Sequence, residues 1–235
     1  MTLPERLKRS PVRVFERATR GGLGRGNLGL IISRPGVGKT AFLIGLAVDS
    51  LLQGRKVLHI STQEPVARLT AFYDHIFQML ADSVGLEHRW DASLEIERNR
   101  HILVYDRKTF SLEKLARSVA FLRESAQFDP SFVIMDGTPR FGKTETWEME
   151  GLQRLAQEWE AEIWTSSHTH REGQQFDPRG VPQEIARYDG FLSLILSLDP
   201  DADHVHLRIV KDRDRDEVAA LRLELDPKTL LLRWR

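Results

Sequence analysis

The sequence predicts an α/β protein with a mostly parallel, twisted sheet flanked by helices and extended by C-terminal antiparallel strands. Short apolar runs alternate with amphipathic stretches of helical period over residues 28–167, which is the pattern of βαβ units. After Gly190, strand-like runs follow one another closely without helical segments between them, which is typical of antiparallel strands. The 235 residues are enough for one such domain.

Five apolar runs predict strands, at residues 28–33, 56–62, 101–106, 131–136 and 162–167. Between them, apolar residues recur at helical spacing and predict three amphipathic helices, with the faces Leu69, Phe72, Tyr73, Ile76, Leu80, then Leu112, Leu115, Ala116, Val119, then Leu152, Leu155, Ala156, Trp159. Residues 41–53 are apolar nearly all round and stop at Gly54, which predicts a buried helix.

The C-terminal strands are predicted from the runs FLSLILSL, HVHLRIV, ALRLEL and TLLLRW, which the turn-like segments DPDAD, DRDRD and DPK separate. The segments 85–100 and 168–182 are polar and aperiodic. We therefore predict loops in both.

Composition excludes several classes of protein. Lys and Arg number 34, as do Asp and Glu, so no global field attracts nucleic acid or a membrane surface. The absence of cysteine excludes disulfides and thiolate metal sites. No apolar run is long enough to span a bilayer, and the N-terminal segment 1–26 has no signal-peptide core. We expect one cytoplasmic domain over residues 1–235, with no membrane partner.

Two segments of the chain end in the letters GKT. Residues 137–144, GTPRFGKT, which we call the second GKT loop, satisfy the phosphate-loop pattern G-x-x-x-x-G-K-[ST] in full. Residues 33–40, SRPGVGKT, which we call the first GKT loop, have Ser33 in place of the first glycine. A phosphate loop needs small residues in its turn, because its backbone N–H groups curl around the phosphates in front of a helix.

The first GKT loop meets this demand better than the second. It has Gly36 and Gly38 in the turn and lies between an apolar strand and the buried helix, whereas the second places Pro139, Arg140 and Phe141 there. We therefore predict that ATP binds at the first loop. An accidental match in an ordinary strand-to-helix turn is the alternative. The predicted ATP-binding residues are Ser33, Pro35, Gly36, Val37, Gly38, Lys39, Thr40 and Ala41.

A magnesium site is predicted from the strand FVIMD, which ends in Asp136. A strand of this form delivers a carboxylate to the metal in phosphate-loop ATPases. Thr40 and Asp136 would then hold Mg²⁺, and Lys39 would contact the β- and γ-phosphates.

At this point the chain resembles the RecA-like ATPases, and within them the KaiC family and the motor domain of DnaB-type helicases. GGLGRGNLGLIISRPGVGKTAF resembles their glycine-rich lead-in and phosphate loop, VLHISTQEP their second strand, and FVIMD their magnesium strand. RLAQEWEAEIWTSSH resembles their helix and sensor strand, and IVKDRDRD their strand with a K-x-R pair. The resemblance implies a RecA-like P-loop NTPase core that hydrolyses Mg-ATP and assembles into a homo-oligomer, with a hexameric ring favoured.

Three further expectations follow from the resemblance. Lys211 and Arg213 would reach the γ-phosphate of a neighbouring subunit, although a solvated charged turn is the alternative. The acid that orients the attacking water usually stands where this chain has Gln63, so Glu64 is the candidate base after a one-residue shift. Since glutamine cannot take a proton, slow hydrolysis is the other outcome. Glu64 and Pro65 also suit a first helical turn.

Two loops are candidates for contacts with single-stranded DNA or a protein partner, because their equivalents line the pore of RecA-like rings. Their basic residues are Arg140, Lys143, Arg171 and Arg179, and Phe141 and Phe176 could stack on bases.

Taken with the resemblance, the sequence predicts a motor or remodelling ATPase. A nucleotide-dependent switch or scaffold with slow hydrolysis, and a recombination mediator that binds single-stranded DNA, are the alternatives.

Overall fold

The computed structural model describes residues 11–169, 175–201, 204–215 and 218–234. Arg171, one of the predicted partner-contacting residues, lies outside them. The helices are α1 (Pro11–Ala18), α2 (Lys39–Leu52), α3 (Val66–Val84), α4 (Arg89–Asn99), α5 (Leu112–Ala126), α6 (Thr146–Glu158) and α7 (Gln183–Ala186). The strands are β1 (Leu28–Ser33), β2 (Val57–Ser61), β3 (Arg100–Val104), β4 (Phe132–Asp136), β5 (Glu162–His168), β6 (Leu192–Asp201), β7 (His204–Asp212), β8 (Leu223–Leu225) and β9 (Leu232–Trp234).

All nine of these strands form one sheet, in the order β3-β2-β4-β5-β1-β6-β7-β8-β9. The pairs from β3 through to β6 are parallel, and the pairs β6–β7, β7–β8 and β8–β9 are antiparallel. The predicted α/β class, with a mostly parallel sheet and antiparallel strands at its C-terminal side, is confirmed.

The prediction that the run FLSLILSL forms an antiparallel strand with its neighbours is wrong on one side. β6 runs parallel to β1 and antiparallel only to β7. The cause is the connection after β5, which contains α7 and a 3₁₀ turn over Asp189–Phe191. A crossover of this length returns the chain to the edge of the sheet at which β1 begins, so that β6 runs parallel to β1. Antiparallel neighbours need only a hairpin. The predicted turn at DPDAD also begins too early, because β6 continues through Asp201.

The prediction of a loop over residues 85–100 is also wrong, because α4 occupies most of it. Only Ala92 and Ile96 of this helix are buried. They lie four positions apart and so share one face, which packs against α2. An apolar stripe of two residues is too narrow to produce a clear helical period, so the packing partner, and not the local pattern, identifies this helix.

The sheet carries a separate hydrophobic core on each face. One core contains α2, the inward faces of α3 and α4, and Trp164 of β5. The other contains the inward faces of α5 and α6 together with Tyr188. α2 is buried along most of its length, as its apolar sequence predicts. Among the residues of the described ranges, no helix is long and apolar enough to cross a membrane.

β1 lies inside the sheet, between β5 and β6. At its second residue, Gly29, a Cβ atom would lie 2.6 Å from Cε3 of Trp164 and 2.9 Å from Cδ2 of Leu23. Both side chains are fully buried. Any side chain at this position would therefore displace a packed ring.

We predict that Gly29→Ala lowers the free energy of unfolding by about 1–3 kcal/mol, the usual cost of overpacking a core. Chemical denaturation measures it. Gly45→Ala is the matched control, because Gly45 lies within α2 and a Cβ there meets nothing within 4 Å. This control should gain up to about 1 kcal/mol from helix propensity. A Gly29→Ala protein as stable as the wild type would contradict the packing described.

Candidate functional site

Polar side chains converge where the central parallel strands end. β1 ends at Ser33, β4 at Asp136 and β5 at His168. α2 begins at Lys39, directly after the turn of the first GKT loop. In open α/β sheets this carboxyl edge is where ligands bind.

The ammonium of Lys39 lies in a ring of acceptors at this edge. Its Nζ donates to the carbonyl oxygen of Ser33 (3.2 Å), to the Oγ of Ser33 (3.1 Å) and to the carbonyl oxygen of Arg34 (3.3 Å). It also lies 2.8 Å from Nδ1 of His168. Burial lowers the pKa of Lys39 from its ordinary 10.5 to about 8, although the nearby Asp136 carboxylate raises it. The site thus holds a partly desolvated cation.

The Asp136 carboxylate is held by two hydroxyl groups from different elements. Oγ1 of Thr40, on the first turn of α2, donates to Oδ2 (2.9 Å), and Oγ of Ser166, on β5, donates to Oδ1 (2.8 Å). Among the described residues, no group of three or more histidine, aspartate or glutamate side chains could hold a metal ion. A metal at this position would therefore need hydroxyl, water or substrate oxygens in addition to the Asp136 carboxylate.

The turn of the first GKT loop leaves backbone N–H groups unused. Gly36 and Gly38 have φ angles of 78° and 112°, in the left-handed region that favours glycine. Within the described ranges, the N–H groups of residues 36–38 donate to no other group of the protein. Successive N–H groups in such a turn, in front of a helix N-terminus, form a concave anion site.

The second GKT loop is built differently. The N–H groups of Lys143 and Thr144 both donate to the carbonyl oxygen of Arg140, at 2.7 and 2.9 Å. The Phe141 side chain is buried against the Tyr188 ring, and the Tyr188 hydroxyl donates to the carbonyl oxygen of Thr144. The N–H groups of the lysine and threonine in this motif are thus already bonded within the loop, and its Phe141 side chain is part of the core.

Gln63 and Glu64 point in different directions after β2. A Cβ atom built on Gly137 would lie 2.4 Å from Nε2 of Gln63, so the Gln63 side chain rests on the residue that follows Asp136. The Glu64 carboxylate instead forms an ion pair with Arg68, at 3.3 Å. Pro65 is the N-cap of α3. The structure thus places Glu64 at the start of a helix, which is the alternative weighed from the sequence, and places Gln63 beside Asp136.

Lys211 and Arg213 are both engaged within their own chain. Nζ of Lys211 lies 2.8 Å from Oδ2 of Asp189. The guanidinium of Arg213 donates to the carbonyl oxygens of Thr19, Gly22 and Leu23 and pairs with Asp212, at 2.6–3.2 Å. Both residues thus have partners within the described chain, which a solvated charged turn would not give them. In one chain, these residues tie β7 to the glycine-rich lead-in and to the segment before β6.

The candidate partner-contacting residues have different surroundings. Arg140 and Lys143 are exposed. Arg179 is neutralised by Asp177 and Asp189, at 2.7 and 2.8 Å. Of the two predicted stacking rings, Phe176 is 45% exposed, but the prediction for Phe141 is wrong because that ring is in the core.

The sequence signals do not identify two residues near the site, Ser166 and Thr62, or the exposed Trp147 at the start of α6. Ser166 lies in the segment that resembles a sensor strand, but the resemblance assigns it no role, and only the register of β5 beside β4 identifies it. Thr62, which ends the apolar run after β2, has a buried Oγ1 without a hydrogen-bond partner in the described chain. Trp147 is 65% exposed at the start of α6. An isolated tryptophan in an amphipathic segment normally belongs to the core, so its sequence gave no signal.

No family model matches the chain, and no curated protein matches it.

We predict that Ser166→Ala lowers the free energy of unfolding by about 1–3 kcal/mol, because it leaves a buried carboxylate oxygen of Asp136 without its donor. Ser167→Ala is the control, since Ser167 is the next residue on β5, is less buried and points to the opposite face. Equilibrium denaturation of the two variants should separate them. Equal losses would mean that the Ser166 hydroxyl contributes no more than general packing.

Proposed function

We propose that the protein is a RecA-like P-loop ATPase that binds Mg-ATP at the first GKT loop. The observation that carries the proposal is the combination, at one edge, of free N–H groups over residues 36–38 with the desolvated ammonium of Lys39. Both features favour a polyanion, and the N-terminus of α2 adds its positive end.

The chemistry of the Thr40 and Asp136 side chains fits Mg²⁺. Both offer hard oxygen donors, and they are already in contact at 2.9 Å. Magnesium bound with nucleotides takes one or two protein ligands and completes its shell with phosphate and water oxygens. When bound, the metal would neutralise charge on the β- and γ-phosphates. Ser166 would keep the Asp136 carboxylate oriented.

The proposal includes assembly into a homo-oligomer, with a hexameric ring favoured by the resemblance to KaiC and DnaB-type proteins. Lys211 and Arg213 would act on the nucleotide of a neighbouring subunit. Both now have partners within the chain, so this role requires them to exchange those contacts. Assembly and nucleotide binding would then be energetically linked.

A second candidate function, binding of single-stranded DNA, is favoured by one observation. Arg140 and Lys143 are exposed just before α6, whose first turn carries the exposed Trp147. Cationic and aromatic side chains together are the usual means of holding unpaired bases and their backbone. A protein partner is the alternative for this surface.

We predict that Lys39→Ala weakens Mg-ATP binding at least tenfold, whereas Lys143→Ala leaves it unchanged, because Lys39 is desolvated beside the N–H groups of residues 36–38 and Lys143 is exposed. A charged hydrogen bond contributes about 1.5–3 kcal/mol, which corresponds to about 10- to 100-fold. Isothermal titration calorimetry of each variant measures the dissociation constant. The reverse result would place the nucleotide at the second loop.

The same two variants separate the nucleotide site from the candidate DNA surface. Lys143→Ala should weaken binding of an oligo-dT probe, measured by fluorescence anisotropy, and Lys39→Ala should not. Unchanged binding to Lys143→Ala, or no binding to the wild type, would favour the protein partner.

We predict that Mg-ATP affinity falls as the pH rises through about 8, the pKa of Lys39 in the free protein. The ammonium is present below this pH and is lost above it, so the dissociation constant should rise by up to about tenfold per pH unit beyond it. Calorimetry in buffers of different ionisation heat should show proton uptake on binding near pH 8.5.

As the pH rises, the stability of the unliganded protein should increase, whereas its Mg-ATP affinity should fall. Because the folded-state pKa of Lys39 is depressed from 10.5 to about 8, the unfolded chain binds more protons between these values. The free energy of unfolding, taken relative to Lys39→Ala, should therefore rise over this range. A pH-independent affinity, together with a flat stability difference, would contradict the burial of a charged Lys39.

A further inference from the structure

A cavity of about 860 Å³ lies between α2, α3 and the C-terminal strands. Its walls are mostly apolar. Phe42 and Leu46 of α2 line one side. Ile76 and Leu80 of α3 line the second, and residues 230–232, where β9 begins, line the third. Apolar cavities of about 300–1,000 Å³ are the usual binding sites of small molecules.

The floor of the cavity is the backbone of α2 at Gly45. Gly45 is half-buried, whereas its neighbours Ile44 and Leu46 are buried. A Cβ atom at Gly45 would meet no atom of another element within 4 Å. Glycine is a poor helix former, and at this position its missing side chain leaves open space over a helix that is otherwise closely packed.

The polar groups of the cavity wall already have partners within the chain. Each of its three carboxylates forms an ion pair, and the pairs are Arg13–Asp49, Arg89–Asp82 at 2.6 Å and Arg233–Asp226 at 2.9 Å. Oγ of Ser83 donates to the carbonyl oxygen of Leu80 at 2.8 Å. Oγ1 of Thr229 accepts from the N–H of Leu231 at 3.4 Å. A charged group on a ligand would therefore lose its water without gaining a counter-ion.

From the size, the lining and the paired charges we infer that this cavity binds an uncharged, largely apolar small molecule. Trp234 also lines the cavity and is 56% exposed, so it supplies further apolar surface that the ligand would remove from water. The inference is independent of the proposed nucleotide site, because none of Lys39, Thr40 and Asp136 lines the cavity.

The test uses N-phenyl-1-naphthylamine, an uncharged dye whose fluorescence rises in apolar surroundings. The dye should bind the wild-type protein saturably, at one molecule per chain. Gly45→Phe places a ring on the floor of the cavity and should weaken binding at least about tenfold. Gly45→Ala is the matched control, because it adds one methyl group and should keep the dissociation constant within about threefold. Thermal unfolding followed by circular dichroism should show that both variants are folded.

Two further comparisons test the charge of the ligand and the location of the dye. The dye 8-anilino-1-naphthalenesulfonate has the same rings with an added sulfonate, and it should bind the wild type at least about tenfold more weakly. Phe121 is 65% exposed on α5, outside the cavity. Phe121→Ser should therefore bind N-phenyl-1-naphthylamine as tightly as the wild type.

Several results would overturn the inference. They are the absence of saturable dye binding to the wild type, equal affinity of the wild type and Gly45→Phe, and weaker binding to Phe121→Ser. Equal affinity for the two dyes would refute an uncharged ligand. Sedimentation velocity tests another occupant. A wild type that self-associates and takes up no dye, beside a monomeric Gly45→Phe, would assign the cavity to a second copy of the chain.

Discussion

The Asp136 carboxylate, held between the hydroxyl groups of Thr40 and Ser166, is the interaction on which the arrangement of the site depends. These three residues belong to α2, β4 and β5, so one carboxylate joins a helix N-terminus to two neighbouring strands. A buried carboxylate is costly unless its oxygens are satisfied, and both are satisfied here. The position of α2, and with it Lys39 and the turn before it, is thereby fixed relative to the sheet.

The two GKT loops show why a sequence pattern and a binding geometry can disagree. The second loop satisfies the phosphate-loop pattern, but the Phe141 side chain contributes to the core and the N–H groups of Lys143 and Thr144 bond within the loop. The first loop departs from the pattern at Ser33, yet its small central residues leave N–H groups free and its lysine lies among acceptors. Glycines with positive φ angles let successive N–H groups of a turn face one side, whereas a large apolar residue in the turn is drawn toward the core.

Much of the fold follows from local sequence signals, and the parts that do not have an identifiable cause. The apolar runs locate β1, β2, β4 and β5 because a strand buried on both faces must be continuously apolar, and β3, at the edge of the sheet, is only partly buried. The direction of β6 depends on the crossover before it, and α4 depends on packing against α2, so neither is visible locally. In the site, Lys39, Thr40 and Asp136 belong to recognisable motifs. Ser166 and Thr62 become visible only when the register of β5 and the approach of Gly137 bring distant segments together.

The contact between Leu225 and Gly38 connects the far side of the sheet to the site. A Cβ atom on Gly38 would lie 2.9 Å from Cδ2 of Leu225, which belongs to β8. The short antiparallel strands therefore form one wall of the turn that the first GKT loop makes. A substitution that moves Leu225 would therefore change the packing against the backbone of that turn, although Leu225 lies almost 190 residues further along the chain.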